Sequence, residues 1–377
     1  MRLATHSTVL RVLGFCALAC VSASAAWAHD VATTVQVSRT PSTADSPATG
    51  SNSGSVLGSW DITDDWSLDG SFGITRPTLS GDPSVVKAGN IYALGLGPSY
   101  SLGDHWLFMG SATLSPKSMQ LSQTTINFDD KLPPAGAKDH EAQLHAESTS
   151  GGLMLMASYD TDDDDSDFQT SVTATATWNH YGTLQKIADV TVGKTVVDKT
   201  TLDKACAGAT SKGCKVLTAL LRAQEDSLEQ GAFALSATET MYENWDAILG
   251  ATYYVYSKDP NEVGVFSIAS RGTAVVGPRS GAGSIEYGEG VPLSAFRFNT
   301  QFGGAWHAHD WKITLTEAIG RYVDDGGGLA ATTLKAAYKF NKNWKLLSSF
   351  TFQRDTDSVG TASNGFLGSL TLRYMWF

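Results

Sequence analysis

The stretch Trp66-Ser67-Leu68-Asp69-Gly70-Ser71-Phe72-Gly73-Ile74-Thr75 decides the fold. Trp66, Leu68, Gly70, Phe72 and Ile74 fall on one side of a two-residue period, and Ser67, Asp69, Ser71, Gly73 and Thr75 on the other. An extended strand alternates in this way because its successive side chains point to opposite faces of the sheet. The polar side is built from small Ser, Thr and Gly with scattered charge, which suits a wet lumen. The outer face of a soluble sandwich would carry Lys and Glu instead. A polar turn ending in Asp65 comes directly before Trp66.

The same arrangement recurs along the chain. His105 precedes Trp106, Asn244 precedes Trp245, Asp310 precedes Trp311 and Asn343 precedes Trp344, while the acidic run Asp160 to Asp167 precedes Phe168. An indole that buries its ring in hydrocarbon and keeps its N–H at the headgroups forms the interfacial girdle of a membrane barrel. Trp66, Trp106, Phe168, Trp245, Trp311 and Trp344 are therefore read as interfacial, and the chain as all-β, a transmembrane antiparallel up-and-down barrel. Unequal intervals between these aromatics argue against a propeller, whose blades recur at a constant period.

Short turns near residues 63, 103, 163, 243, 309 and 342 alternate with longer connections at 41–53, 78–89, 118–150, 181–230, 258–292, 323–330 and 355–364. Outer-membrane barrels show this asymmetry, with short periplasmic turns and long extracellular loops. Six short turns with both termini on one side give fourteen strands, the first at Val31–Thr40 and the last at Gly365–Phe377. Twelve and sixteen stay open because strand one is poor in apolar residues and Gly151-Gly152 predicts a face-switching bulge in strand six.

Residues 1–28 read as a secretory signal: Arg2 and Arg11 are basic, Val12–Val21 is apolar, and Ala26-Trp27-Ala28 is a cleavage site. Residues 29–377 are then the barrel. Cys20 sits in a poor lipobox, so the mature chain retains Cys206 and Cys214, whose proximity in an exported protein suggests one local disulfide. They lie in the expected extracellular loop 181–230, where Lys215–Glu225 has the composition and apolar face of a short helix. That loop either caps the barrel outside or folds inward. The net charge of -11 argues against nucleic acid as a partner.

The last strand, with Leu370, Leu372, Tyr374 and Trp376 alternating before a terminal Phe377, resembles the assembly signal of bacterial outer-membrane barrels, the porin-like superfamily. The alternation is one residue out of step with Phe377. This resemblance implies an outer-membrane location, lipid surroundings and engagement of the barrel-assembly machinery through the final strand.

Parity and height place candidate pore-lining charges. Lys312, Lys339, Lys345 and Arg373 take the polar face near the periplasmic end, with Lys335 and Arg297 higher; Asp61, Asp69 and Asp246 take it at similar height. A basic wall facing an acidic one would set up a transverse field, focused by the low-dielectric barrel. The alternative is that these charges pair across strands and keep the lumen wet. Glu317 shares the lipid face with Trp311, Ile313 and Leu315, so a bulge, a rim position or pairing with Arg321 is expected.

No compact motif marks a catalytic site. His105, His307 and His309 fall at periplasmic turns, and His140, His145 and His180 near the outer rim. Neither His307-Ala308-His309 nor the acidic run has the ligand spacing of a metal site, and no cofactor is expected. The function expected is a passive channel for small hydrophilic solutes, with anions favoured. A loop-closed receptor or structural surface barrel is the alternative, and an outer-membrane hydrolase the third reading. The lack of a plug-like segment before strand one speaks against siderophore transporters and hatch-bearing fatty-acid channels.

Overall fold

A computed structural model describes residues 30–40, 49–77, 85–127, 139–161, 168–192, 195–198, 224–259, 296–323, 327–356 and 362–376, together with 200, 204 and 360. The signal segment, Cys206, Cys214, residues 215–223 of the expected helix, most of the acidic run and Phe377 lie outside the described residues, and the last two residues expected in that helix, Gln224 and Glu225, are strand.

Fourteen strands form the wall. They are β1 (Asp30–Thr40), β2 (Thr49–Asp61), β3 (Trp66–Pro77), β4 (Ile91–Leu102), β5 (Trp106–Asn127), β6 (Asp139–Asp160), β7 (Phe168–Val192), β8 (Gln224–Met241), β9 (Trp245–Tyr256), β10 (Phe296–Ala308), β11 (Trp311–Tyr322), β12 (Gly328–Lys339), β13 (Trp344–Thr356) and β14 (Ala362–Trp376). Each pairs antiparallel with its successor. The seam closes where β14 pairs with β1, from Val31 opposite Trp376 to Arg39 opposite Gly368. Closure leaves no open edge among these strands, as hydrocarbon requires of backbone N–H and C=O groups. Two four-residue strands, Val85–Ala88 and Thr195–Asp198, add to the upper parts of β5 and β7.

The turns at one end are tight. At three of them, Tyr242, Glu243 and His309 adopt positive φ, and so does Gly103. The strand starts at Trp66, Trp106, Phe168, Trp245, Trp311 and Trp344 coincide with the turn aromatics. All six rings are outward and 39–54% exposed. Four of the tryptophans also pack on a tyrosine of the neighbouring strand. Trp66 meets Tyr100 at 4.7 Å, Trp106 meets Tyr159 at 4.9 Å, Trp311 meets Tyr338 at 4.7 Å and Trp344 meets Tyr374 at 4.6 Å. The girdle is thus a belt of Trp–Tyr pairs.

Three expectations change. The stretches 118–150 and 181–230 are not loop throughout: β5, β6, β7 and β8 run 22, 22, 25 and 18 residues, against 11 to 15 for the others. Their upper parts, such as Gln120-Leu121-Ser122-Gln123-Thr124, are polar on both faces, so the two-residue period that marks a half-greasy strand is missing there. The second change is at Gly151-Gly152, where the register runs unbroken on both sides. The irregularities sit instead between Ser115 and Ser118, around Pro116, and between Gln143 and Leu144. Proline has no N–H for the ladder, which accounts for the first. A Cβ on Gly152 would strike the Asn179 side-chain oxygen, so that amide would have to shift to admit one. Finally, Glu317 is in regular strand, with neither a bulge beside it nor a rim position: it accepts a hydrogen bond from Thr332 Oγ1 at 2.5 Å, its direct cross-strand partner. A hydroxyl on the adjacent strand takes the place expected of Arg321.

Candidate functional site: the lumen wall and inner mouth

Facing residues in the ladders fix which side chains share a face. The face opposite the girdle carries the more buried groups, among them Ser51, Ser99, Gln230, Asp246 and Thr316. A chamber of about 380 Å³ opens on it between β1 and β6, lined by Thr34, Gln36, Ser53, Ser55, Ser71 and Thr113 together with the apolar Leu57, Ile91 and Ala93. A larger hollow of about 950 Å³ is lined by Trp66, Tyr100, Phe108, Leu155, Phe233 and Tyr253. Those side chains have the parity of the girdle, so the hollow belongs to the lipid side of the wall.

The basic residues separate into two groups. Lys339 is directly opposite Lys345, and Lys345 directly opposite Arg373. Like charges thus occupy three neighbouring positions across β12, β13 and β14, an arrangement that costs stability in a sheet. None of the three has an ion pair among the described residues. Lys335 lies higher on the same face, opposite Thr314 and Ser349.

Lys312 stands apart from this row. Its Nζ donates to Asp246 Oδ2 at 2.9 Å, His307 Nε2 meets the same oxygen at 2.7 Å, and Thr240 Oγ1 donates to Oδ1 at 3.0 Å. The Asp246 side chain is 4% exposed and Lys312 44% exposed. Asp246 therefore neutralises Lys312 from two strands away and does not face it across the lumen. His307, read from sequence as a solvated turn residue, is part of this cluster. The lysine was visible in the sequence, but its pairing depends on the β9–β10–β11 register.

Asp61 and Asp69 lie on β2 and β3 with lumen parity, Asp61 opposite Ser67 and Asp69 opposite Ser59. Only β1 separates β2 from the basic row, so the acidic and basic sectors adjoin around the seam instead of facing each other. Arg297 departs from strict alternation. A register shift between Phe296 and Phe298 turns Phe296 inward, where its ring stacks on Tyr322 at 4.8 Å, and Arg297 reaches Val323 O at 3.5 Å from an exposed bulge. Among the other histidines, His105 Nδ1 lies 2.9 Å from Asp160 O, and His180 pairs outward with Glu229 at 2.5 Å.

A closed antiparallel barrel of fourteen strands with an aromatic girdle at its short-turn end is the architecture of a bacterial outer-membrane protein. In fold the chain is similar to a Pseudomonas aeruginosa FadL homologue (TM-score 0.51, 13% identity, covering 92% of this chain and 90% of that one). It is also similar to the CymD monoaromatic hydrocarbon channel (TM-score 0.53, 8% identity, 92% and 88%) and to a TodX monoaromatic hydrocarbon channel mutant (TM-score 0.52, 10% identity, 93% and 91%). No protein-family model and no curated protein matches the sequence.

Proposed function

We propose that the protein is a passive outer-membrane channel for small hydrophilic solutes, with anions favoured at the periplasmic mouth. The observation that carries this reading is the uncompensated row Lys339, Lys345 and Arg373 on the lumen face of three adjacent strands. A barrel that only needed a wet, filled interior gains nothing from placing like charges opposite one another. A solute anion passing the inner mouth meets three cations in a low-dielectric tube, which raises its local concentration. The Ser, Thr and Gln side chains of the chamber, set among the apolar Leu57, Ile91 and Ala93, offer hydroxyl and amide groups in place of water to a hydrated solute.

A second reading, passage of apolar solutes, is favoured by Leu57 and Leu367, which stand exposed with lumen parity. Proteins of similar fold are described as hydrocarbon channels. Liposomes carrying the purified barrel separate the readings. Entry of small organic anions and sugars, and no acceleration for a monoaromatic hydrocarbon, is the expected result. Hydrocarbon entry alone favours the second reading, and a folded barrel that passes neither class is a closed receptor or structural barrel. Engagement of the assembly machinery through the strand ending in Phe377, and a Cys206–Cys214 disulfide, belong to the same proposal.

A further inference from the structure

The lipid face carries a pattern that the pore does not use. Trp66 and Arg76, Trp311 and Arg321, and Trp344 and Arg354 are each ten residues apart. The spacing is even, so each arginine shares the outward face of its tryptophan, and the ladders agree: Arg76 is opposite Asn52, Arg321 opposite Phe298 and Gly328, Arg354 opposite Ala330 and Asn364. Ten residues at about 3.3 Å, tilted by about 40°, rise roughly 25 Å, the height of the apolar band. Tryptophan marks the periplasmic border of that band, and arginine the other. Arg39 belongs to the same ring, outward on β1 opposite Gly50 and Gly368 and nine residues from Asp30, where the strand begins.

The four arginines occupy β11, β13, β1 and β3, every second strand around the seam, and are offset by two, four and two residues along the ladders, so neighbours are roughly 12, 16 and 12 Å apart. All four are exposed. Arg76, Arg321 and Arg354 have no hydrogen bond or ion pair among the described residues. Arg39 Nη1 donates to Ser38 O at 2.7 Å and to Ser51 O at 3.3 Å, and Nη2 donates to Asn52 Oδ1 at 3.4 Å, which leaves Nε–H and one N–H of Nη2 for an outside acceptor. On the other half of the barrel the corresponding outward position on β7 and β8 holds the His180–Glu229 pair, and there the wall continues upward. Among the described residues at this height, the arginines fall on the side where the strands are short.

A cation at the edge of hydrocarbon is stable when its stem is buried and its head meets water or an anion. Lysine serves that purpose in general, whereas a planar guanidinium matches phosphate with two parallel N–H donors. We propose that Arg39, Arg76, Arg321 and Arg354 form a belt that binds phosphate groups of outer-leaflet lipid headgroups along the side of the barrel formed by β11 to β14 and β1 to β3. The spacing suits a headgroup that carries phosphates at both ends of a disaccharide, bridging two arginines.

Native mass spectrometry of the full barrel in detergent tests the belt, with diphosphorylated lipid A as probe, phosphatidylcholine as the lipid control and inorganic pyrophosphate as the free-phosphate control. Wild type and a lumen control, K339Q/K345Q, are expected to bind lipid A in preference to both other probes. The R76Q/R321Q/R354Q variant should lose about two orders of magnitude in lipid A affinity, and R76K/R321K/R354K should fall between. Wild-type affinity in the folded Gln variant, equal loss in the lumen control, or equally tight binding of pyrophosphate would each overturn the proposal. If the triple variant does not fold, single R321Q and R354Q variants decide, with about fivefold loss each expected and no loss refuting.

Discussion

Removing the basic row should abolish anion preference, and the size of the effect follows from its geometry. Adjacent strands are about 5 Å apart, so the three charges of Lys339, Lys345 and Arg373 fit within about 10 Å. An anion passing about 7 Å from each gains roughly 0.6 kcal/mol per charge at the dielectric of water. Screening at 0.1 M salt, where the Debye length is about 10 Å, halves this to about 0.9 kcal/mol for the row. That favours an anion about fivefold over a neutral solute and disfavours a cation by the same factor, an anion-to-cation ratio of about twenty. At 1 M salt the Debye length is about 3 Å and the ratio falls to about two. Reversal potentials across a planar bilayer under a salt gradient measure it directly. K339Q/K345Q/R373Q should bring the ratio to about one. D246N/K312Q, which removes a neutral pair, should leave it unchanged. An unaltered ratio in the open, folded triple variant would refute the reasoning, as would a preference in wild type that survives intact at 1 M.

Asp246→Asn alone should destabilise the barrel by roughly 1–3 kcal/mol, because Lys312, His307 and Thr240 lose a charged acceptor in a buried position; the thermal unfolding midpoint should fall accordingly. Glu317→Leu combined with Thr332→Val should raise that midpoint, since it exchanges a lipid-facing carboxylate for apolar surface. Thr332→Val alone should lower it, and a double-mutant cycle with no coupling would show that their hydrogen bond does not matter. Fluorescence of Trp66, Trp106, Trp245, Trp311 and Trp344 should be quenched more by lipids labelled near the headgroup than by lipids labelled at the bilayer midplane; the reverse order would reject the girdle. Mass spectrometry of the unreduced mature protein should show the Cys206–Cys214 bridge, and two free thiols would remove it.

The barrel was legible in the sequence because the lipid imposes a strict rule on one face of every strand. Trp66 through Ile74 obeys that rule, and so, apart from Glu317, do the strands beginning at Trp106, Phe168, Trp245, Trp311 and Trp344, which is why the count of fourteen stands. Above the membrane the rule lapses. Residues 118–127 and 181–192 form strand, and nothing in their sequence pattern separates them from a polar loop. The lumen charges were legible as residues but not as partners. Lys312 and Asp246 are 66 positions apart and meet only through the register of the strands between them. Arg297 was misplaced because a single-residue bulge shifts parity without a Gly or Pro to announce it. Glu317 was expected to seek a charge, and its partner is a hydroxyl that pattern reading does not weigh. The ten-residue interval from tryptophan to arginine was present in the sequence on three strands, and its meaning depends on knowing where the band ends.

The seam between β1 and β14 joins residues more than three hundred positions apart, and it sets the terms on which this wall can change. Until those two strands meet, each has a bare edge of backbone donors and acceptors facing hydrocarbon, so the joint is the last to form and the slowest to find. The partners run antiparallel, which ties the first strand and the last to opposite directions of travel. A single strand gained or lost would reverse one of them and leave the joint with the wrong pairing. With an antiparallel joint kept, the circumference grows or shrinks by whole hairpins, whereas the height of the wall above the membrane is free to vary strand by strand, as β5 to β8 already do.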